Sequence, residues 1–464
     1  MNKQSYIIIL FTSIIGLFSC EEPKDQTPVD TQEELTGGLA TSFDFGENAF
    51  GHAVSGLSYE DEDKFVIGNS FFRSNWTVAP ASASARDGLG PLFNGLSCGS
   101  CHNLDGRAEP PKSPSESLNG LLFRISTSGF SVNGGPKPDQ IYGDQLQDKA
   151  IPTVKPEVKV SVRYEEVIGR YTDGTAYNLR KPIYVFSGWG YGEPEANFMF
   201  SPRIGMQVFG LGLLENISET DILLNTDEND ENRDGISGKA NYVWDAINKR
   251  KSLGKFGWKA NQPSLKQQTT AAFNGDIGIT TSVFPVHELS ESQGFLNEIP
   301  NGGEPEISDK NIDNVVFYLQ TLAVPARRNH TDDNVLRGKA LFTKLNCSGC
   351  HRPSFTTATN SIKQLNSQKI FPYTDLLLHD MGDALADGRP DFLATGNEWR
   401  TSPLWGIGLI KTVNKHTTLL HDGRARNIEE AILWHGGESQ NSTESFKKLS
   451  STDRNQLIKF VESL

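Results

Sequence analysis

Two short segments, GLSCGSCHNLDG at 95–106 and LNCSGCHRP at 345–353, each contain Cys-x-x-Cys-His. Two thiols three positions apart, followed at once by an imidazole, suit one task. The thiols add to the two vinyl groups of a haem, and the adjacent His reaches its iron. Cys98, Cys101 and His102 form the first set, and Cys347, Cys350 and His351 the second. The chain has five cysteines, so the motifs use all but Cys20. A zinc site built from both pairs is one competing reading, but structural zinc pairs usually lie close together in sequence, whereas these lie far apart. A thioredoxin-like redox pair would leave both histidines without a role. The motifs therefore predict two covalently bound c-type haems with His102 and His351 as proximal ligands.

A second metal-like pattern is DENDENRDGISGKAN. Read from Asp230, it places Asp230, Asn232, Asp234 and the Ile236 carbonyl at the first four ligand positions of a calcium loop. The twelfth position is Asn241 rather than a bidentate Glu. The alternative is an acidic turn with a glycine for positive φ.

The N-terminus, MNKQSYIIILFTSIIGLFSC, carries Lys3, an apolar run too short to span a bilayer comfortably, and then Cys20. The ending LFSC resembles a lipobox, which predicts a lipoprotein signal at 1–19 and acylation of Cys20. Residues 20–40 are acidic and poor in large apolar residues, as a flexible tether would be. This implies an exported bacterial lipoprotein, held at a membrane by its lipid and facing the periplasm or cell surface. The chain of 464 residues has a formal charge of −13 and no basic stripe, which argues against nucleic-acid binding.

The elements that position the motifs are duplicated. TDDNVLRGKALFTKLNCSGCH reads as a capped helix leading into the second motif, with Thr331 or Asp332 as N-cap. DGLGPLFNGLSCGSCH, before the first motif, has a similar Gly-x-x-Leu-Phe cadence. ISDKNIDNVVFYLQTL (307–322) and LSSTDRNQLIKFVESL (449–464) align without a gap as amphipathic closing helices. The expected fold is mainly α: two cytochrome c-like helical domains, 41–328 and 329–464, with long loops. A small β-hairpin insertion is expected in the first, where Val158, Val160, Val162 and Tyr164 alternate with polar residues before a TDG turn.

From about residue 40 onward the chain resembles the bacterial di-haem cytochrome c peroxidases and the related methylamine-utilisation di-haem enzyme. It looks most like their di-haem oxidoreductase branch. Besides both motifs, the resemblance rests on SPRIGMQVFGLGLLENI, KFGWKANQPSLKQQTTAAFNGDIGIT, YTDLLLHDMGDALADG and RTSPLWGIGLI…LLHDGRARNIEEAILWHGGES. It implies a catalytic N-terminal haem and an electron-transferring C-terminal one, with His435 as the second ligand of the latter. It also implies Trp258 as a relay between haems, and Gln268 and Asp276 as the lining of a peroxide pocket. The local pattern departs from that of the relatives. Phe-Gly-Trp-Lys replaces their Phe-Trp turn, and an Asp at shorter spacing replaces their acid. Only His287 joins His102 within lobe one downstream of the motif, with His52 upstream of it. Lobe two adds His379, His416, His421 and His435, so the first haem is expected to keep an open face. The function so implied is a peroxidase-like oxidoreductase that takes electrons from a donor cytochrome or other redox protein and acts on hydrogen peroxide. The alternatives are a non-catalytic di-haem electron carrier and a redox sensor linked to metal uptake.

Overall fold

A helix crossing built the same way twice organises the molecule, which a computed structural model describes for residues 30–464. The expected signal peptide, Cys20 and most of the expected tether lie outside the described residues. In the N-terminal lobe α1 (Tyr59–Arg73) crosses α3 (Asp309–Thr321), and in the C-terminal lobe α4 (Asp333–Lys344) crosses α6 (Ser451–Ser463). Each helix starts on a side-chain cap: Ser58, Ser308, Asp332 and Ser450 accept backbone N–H groups of the first turn, each cap contributing about 1 kcal/mol. The crossings are tight because each has a glycine at its centre. A Cβ on Gly68 would lie 2.1 Å from Asn314 O, and one on Gly338 would lie 2.0 Å from Gln456 O. One turn on, Phe72 packs on Tyr318 at 5.4 Å between ring centroids, and Phe342 packs on Phe460 at 5.1 Å.

The helix serving the first motif is thus α1, with Gly68, Phe71 and Phe72 at the places of Gly338, Leu341 and Phe342. The similar cadence at 90–93 is not helical; Leu92–Phe93 pairs antiparallel with Lys149–Ala150.

The expectation of a mainly α fold is corrected. About 30% of the described residues are helical and 19% are in strands, with several small sheets. Strand β1 (Leu121–Phe130) pairs antiparallel with β2 (Gln145–Leu146) and β5 (Met199–Ile204). Between them a twelve-residue strand β3 (Lys159–Arg170) pairs along its whole length with β4 (Ala176–Ser187). The expected hairpin is present, with its turn at the TDG segment. A second core of Phe123, Ile125, Val160, Val162, Trp258 and Trp399 lies on this sheet side, apart from the larger core that joins both lobes. Many other pairings are two-residue contacts between distant loops, such as Thr41–Ser42 with Val324–Pro325, which leave no local period to read.

Residues 30–40, within the expected tether, pack on the globule. Glu33 is buried and bonds Arg327 and Lys339, the latter at 2.6 Å. Among the described residues no helix is long and apolar enough to cross a membrane.

Candidate haem sites

In the C-terminal lobe, α4 delivers the chain to Cys347, Cys350 and His351. The Nδ1–H of His351 is donated to Tyr373 O at 3.0 Å. Helix α5 (Ile428–Trp434), capped by Asn427, ends one residue before His435, whose Nδ1–H is donated to Ala431 O at 2.6 Å. A carbonyl can only accept, so each ring carries its proton on Nδ1 and presents Nε2 bare. Burial holds both imidazoles neutral, His351 down to about 4 and His435 also lowered. With metal–imidazole bonds of about 2 Å, two rings on opposite faces of one iron have centroids roughly 6 Å apart, and those of His351 and His435 are 6.5 Å apart.

In the N-terminal lobe, a single helical turn carries Cys98 and Cys101 and ends at His102. The Nδ1–H of His102 goes to Met206 O at 2.5 Å, again leaving Nε2 bare. Phe72 packs against this ring at 6.1 Å, as Phe342 does against His351 at 6.2 Å. Gly205 lets the chain approach: a Cβ there would lie 2.9 Å from Cys101 O and 3.4 Å from His102 Cε1. Among the described residues no second imidazole joins His102 as His435 joins His351. His52 is bonded to Asp44 at 2.6 Å and is largely exposed, and His287 does not line the cavity.

Helix α2 (Leu265–Ala272) presents Leu265, Gln268, Thr269 and Ala272 to this cavity and then widens into a π-helical turn, Phe273–Ile277, carrying Asp276. Such widened turns recur at functional sites. Asp276 Oδ1 accepts from Gln145 Nε2 at 2.8 Å. Burial raises its carboxyl above the usual range, opposed by the Arg124 charge and the Gln145 hydrogen bond. The neighbouring Gln267 is structural, holding Ala246 N and Trp244 O.

Trp258 stands where the lobes meet. Its Nε1–H is donated to Ile204 O at 2.9 Å in lobe one, and its own carbonyl accepts Arg400 N at 2.8 Å from lobe two. Arg107 lies over its ring at 5.2 Å, and His421 stands 6.5 Å away, stacked at 3.8 Å on Trp399. One cavity of about 410 Å³ is lined by both motifs, Trp258, Gln268, Asp276 and His435. Sequence reasoning did not single out Arg107, Arg400 or Trp399. Both arginines are buried against the cavity without a salt-bridged carboxylate, and burial pulls Arg107 down to about 9 and Arg400 to about 10. No local period marks an arginine of this kind.

These residues fit haem. Bare Nε2 atoms face the cavity beside each cysteine pair. Arg107 Nε and the Nε2 of buried His421 have no partner, and Arg400 is a second buried guanidinium without a carboxylate; carboxylates such as haem propionates suit such groups. Burial pushes the thiols of Cys98, Cys101 and Cys347 up to about 12 and raises that of Cys350, the opposite of a reactive thiolate. His379 is committed elsewhere, with Nε2 at 2.8 Å from Asp375 and Nδ1 at 2.7 Å from Glu438.

The acidic loop at 230–236 folds on its own amides. Asp230 accepts from Gly235 N, Asn232 from Asp234 N, and Asp234 from Ile236 N. Asn241 turns away and bonds Lys259 O and Asp391 O. Among the described residues the group of three potential metal-binding side chains is Cys350, His379 and Glu438, not this loop.

The model of a family described as "Di-haem oxidoreductase, putative peroxidase" matches residues 30–129 and 144–464. No curated protein matches the chain.

Proposed function

Since the chain belongs to the di-haem oxidoreductase family, whose cofactors are haems, we propose that it is a c-type di-haem peroxidase-like enzyme that reduces hydrogen peroxide in its N-terminal lobe with electrons received in its C-terminal lobe. One asymmetry carries this reading: His351 faces a second imidazole, His435, whereas His102 faces none and shares its cavity with Gln268 and Asp276. Each Cys pair would hold its haem through two thioethers. When bound, the haems supply two one-electron iron centres, one of them with a coordination position free.

The protein's own contribution is positional and protonic. His102, His351 and His435 are oriented by carbonyls, so ligation requires no rearrangement of the rings. Arg107 and Arg400 would balance the charge of propionates, and His421, held neutral by burial, would donate a hydrogen bond to one. Asp276 removes the proton from one peroxide oxygen and returns it to the other, so that the O–O bond parts toward water. Its raised affinity for protons brings it nearer the working pH, which suits a group that must both take and give. Gln268 orients the peroxide. Trp258, bonded to both lobes, fixes their spacing and gives electrons an aromatic path. The donor would be a small cytochrome or other one-electron redox protein. Acylated Cys20 would anchor the enzyme outside the cytoplasm, a reading supported by the leader sequence.

The test is stopped-flow reaction of the holoprotein with peroxide. Asp276→Asn should retain two haems and peroxide binding but slow O–O cleavage by about 10²–10⁴-fold. A parent protein unreactive in every redox state would instead make this an electron carrier.

A further inference from the structure

Asp276 can lend a proton, but peroxide reduction consumes two, and Asp276 is half-buried at the cavity wall. A cluster behind it has no role in the account above. Glu288 lies against the turn that carries Asp144, since a Cβ on Gly143 would lie 3.9 Å from Glu288 Cγ and Oε1, and Arg124 Nη1 meets Asp144 Oδ1 at 2.8 Å. The cluster borders the π-helical turn at Gly275. A Cβ there would lie 3.4 Å from Glu288 Oε2 and 3.7 Å from both Gln145 Nε2 and Gln145 Oε1. The amides of Gln145 and Gln147 both donate to Gly275 O, at 3.1 and 3.2 Å. Their carbonyl oxygens, Gln145 Oε1 and Gln147 Oε1, are buried acceptors with no partner. Orphaned acceptors of this kind call for a donor. The gap at Gly275, between Glu288 and the glutamine that holds Asp276, is where a water or hydroxyl would supply it.

The surrounding charges define the direction. Burial raises Glu288, and the neighbouring Asp144 raises it further, while Arg124 and Glu157 face it as well. Asp144 is held ionised by Arg124 and, farther off, Arg389, against the pull of burial. Arg124 also faces Asp276 and Asp391, and Asp276 faces His102. These directions favour the proton on Glu288 over Asp144, whose side chain is 37% accessible.

We propose that Glu288 and Asp144 form an acid–carboxylate pair that passes protons from the exterior to Asp276 across the gap left by Gly275. The proposal rests on the peroxidase reading. Per turnover one O–O bond breaks and two waters form, with two electrons from the one-electron donor protein and two protons from solvent. Glu288 gives its proton toward Asp276, and Asp144, open to solvent, allows the pair to be recharged. Arg124 keeps its own protons and balances the pair's charge.

Two variants and two readouts test this in the holoprotein. Glu288→Gln removes the acid. Gly275→Ala leaves every acid in place but fills the gap, at ordinary contact distance from its walls. Both should slow single-turnover peroxide cleavage by roughly tenfold or more. Added acetic acid should restore Glu288→Gln toward the parent rate, which a purely structural role would not permit. Infrared spectra at neutral pH should show a protonated-carboxyl band in the parent, shifted in D₂O and lost in Glu288→Gln; buried Glu157 gives its own band, removed by Glu157→Gln. Parent-like rates in both variants would overturn the relay, and a band unchanged in Glu288→Gln would overturn the acid pair. A parent protein inert to peroxide would sink the peroxidase reading and the relay with it, while the infrared arm still decides whether the pair exists.

Discussion

Replacing His435 by Gly tests the proposed ligation at the C-terminal haem. The substitution removes an imidazole 6.5 Å from that of His351 and, with it, the hydrogen bond to Ala431 O. His435 has φ −64° and ψ 124°, so glycine gains nothing from its conformational freedom and costs up to about 1 kcal/mol in chain entropy. Leaving the Ala431 carbonyl without its partner costs about 1–3 kcal/mol more. One of the two haems should then change from low-spin to high-spin or aquo-ligated, while the other keeps its spectrum. The vacated space has the shape of the removed group, and free imidazole can remake both the iron bond and the bond to Ala431 O. Titrated imidazole should therefore restore the low-spin signal, and at a hundred times its dissociation constant should return about 2.7 kcal/mol of stability. The assay is optical and EPR spectroscopy with thermal melts, with and without imidazole, on parent and variant. Two haems that keep parent spectra in the variant would refute ligation by His435. So would a spectral change that imidazole leaves untouched in both spectrum and melting temperature.

Other consequences can be measured independently. Trp258→Phe removes the donor to Ile204 O and should slow electron passage between lobes in flash-reduction experiments while sparing peroxide cleavage. Gly205→Ala places a methyl 2.9 Å from Cys101 O; it should cost about 1–3 kcal/mol of strain, and the haem-to-protein ratio should fall from two toward one. Glu157 accepts from Gln147 N and Gln293 Nε2, both at 2.6 Å, yet burial pushes its carboxyl up to about 8. The folded chain therefore keeps a proton there that the unfolded chain releases near its ordinary value. That contribution to stability is whole below about pH 4.3 and is lost as pH rises through about 8, on the order of 5 kcal/mol. Melting temperatures of the parent should accordingly fall more steeply over that window than those of Glu157→Gln; parallel profiles would contradict it.

What could be read from the sequence was what is local. The attachment motifs are contiguous, and the closing helices announce themselves by apolar residues at helical spacing: Ile312, Val315, Val316 and Leu319 line one buried face of α3. The N-cap before the second motif is Asp332, one of two candidates. The helix serving the first motif is hidden because residues 74–97 separate α1 from Cys98, whereas α4 ends at Lys344 just before Cys347, and a chance Gly-x-x-Leu-Phe sits nearer Cys98. The strands were hidden for a related reason. Leu92 with Ala150, or Leu378 with Arg400, are pairs made by tertiary proximity, and neither partner shows alternation by itself. The same holds for the site: Arg107, Arg400, Gln145 and Glu288 reach it from separate loops and strands, and nothing in their own neighbourhoods marks them.

The duplication also indicates where function diverged. In both lobes a glycine-centred crossing places a Phe against the motif histidine at almost the same distance, 6.1 and 6.2 Å. The haem-facing frame is therefore common to both. The difference comes from what each lobe adds outside that frame. Lobe two adds α5, which ends at a histidine opposite His351. Lobe one adds α2 and its π-helical turn, which bring Gln268 and Asp276, and a sheet, which brings Gln145 and Arg124 up behind the acid. A carboxylate half-buried in such a cavity would be costly without such support. The strand content that overturns a purely helical fold supplies that support: in the β1–β2 pairing Arg124 stands directly opposite Gln145, so one register sets both the charge and the hydrogen bond that Asp276 depends on. A slip of β2 by one residue would turn Gln145 to the other face of the sheet, away from Arg124, and leave the acid without its hydrogen bond.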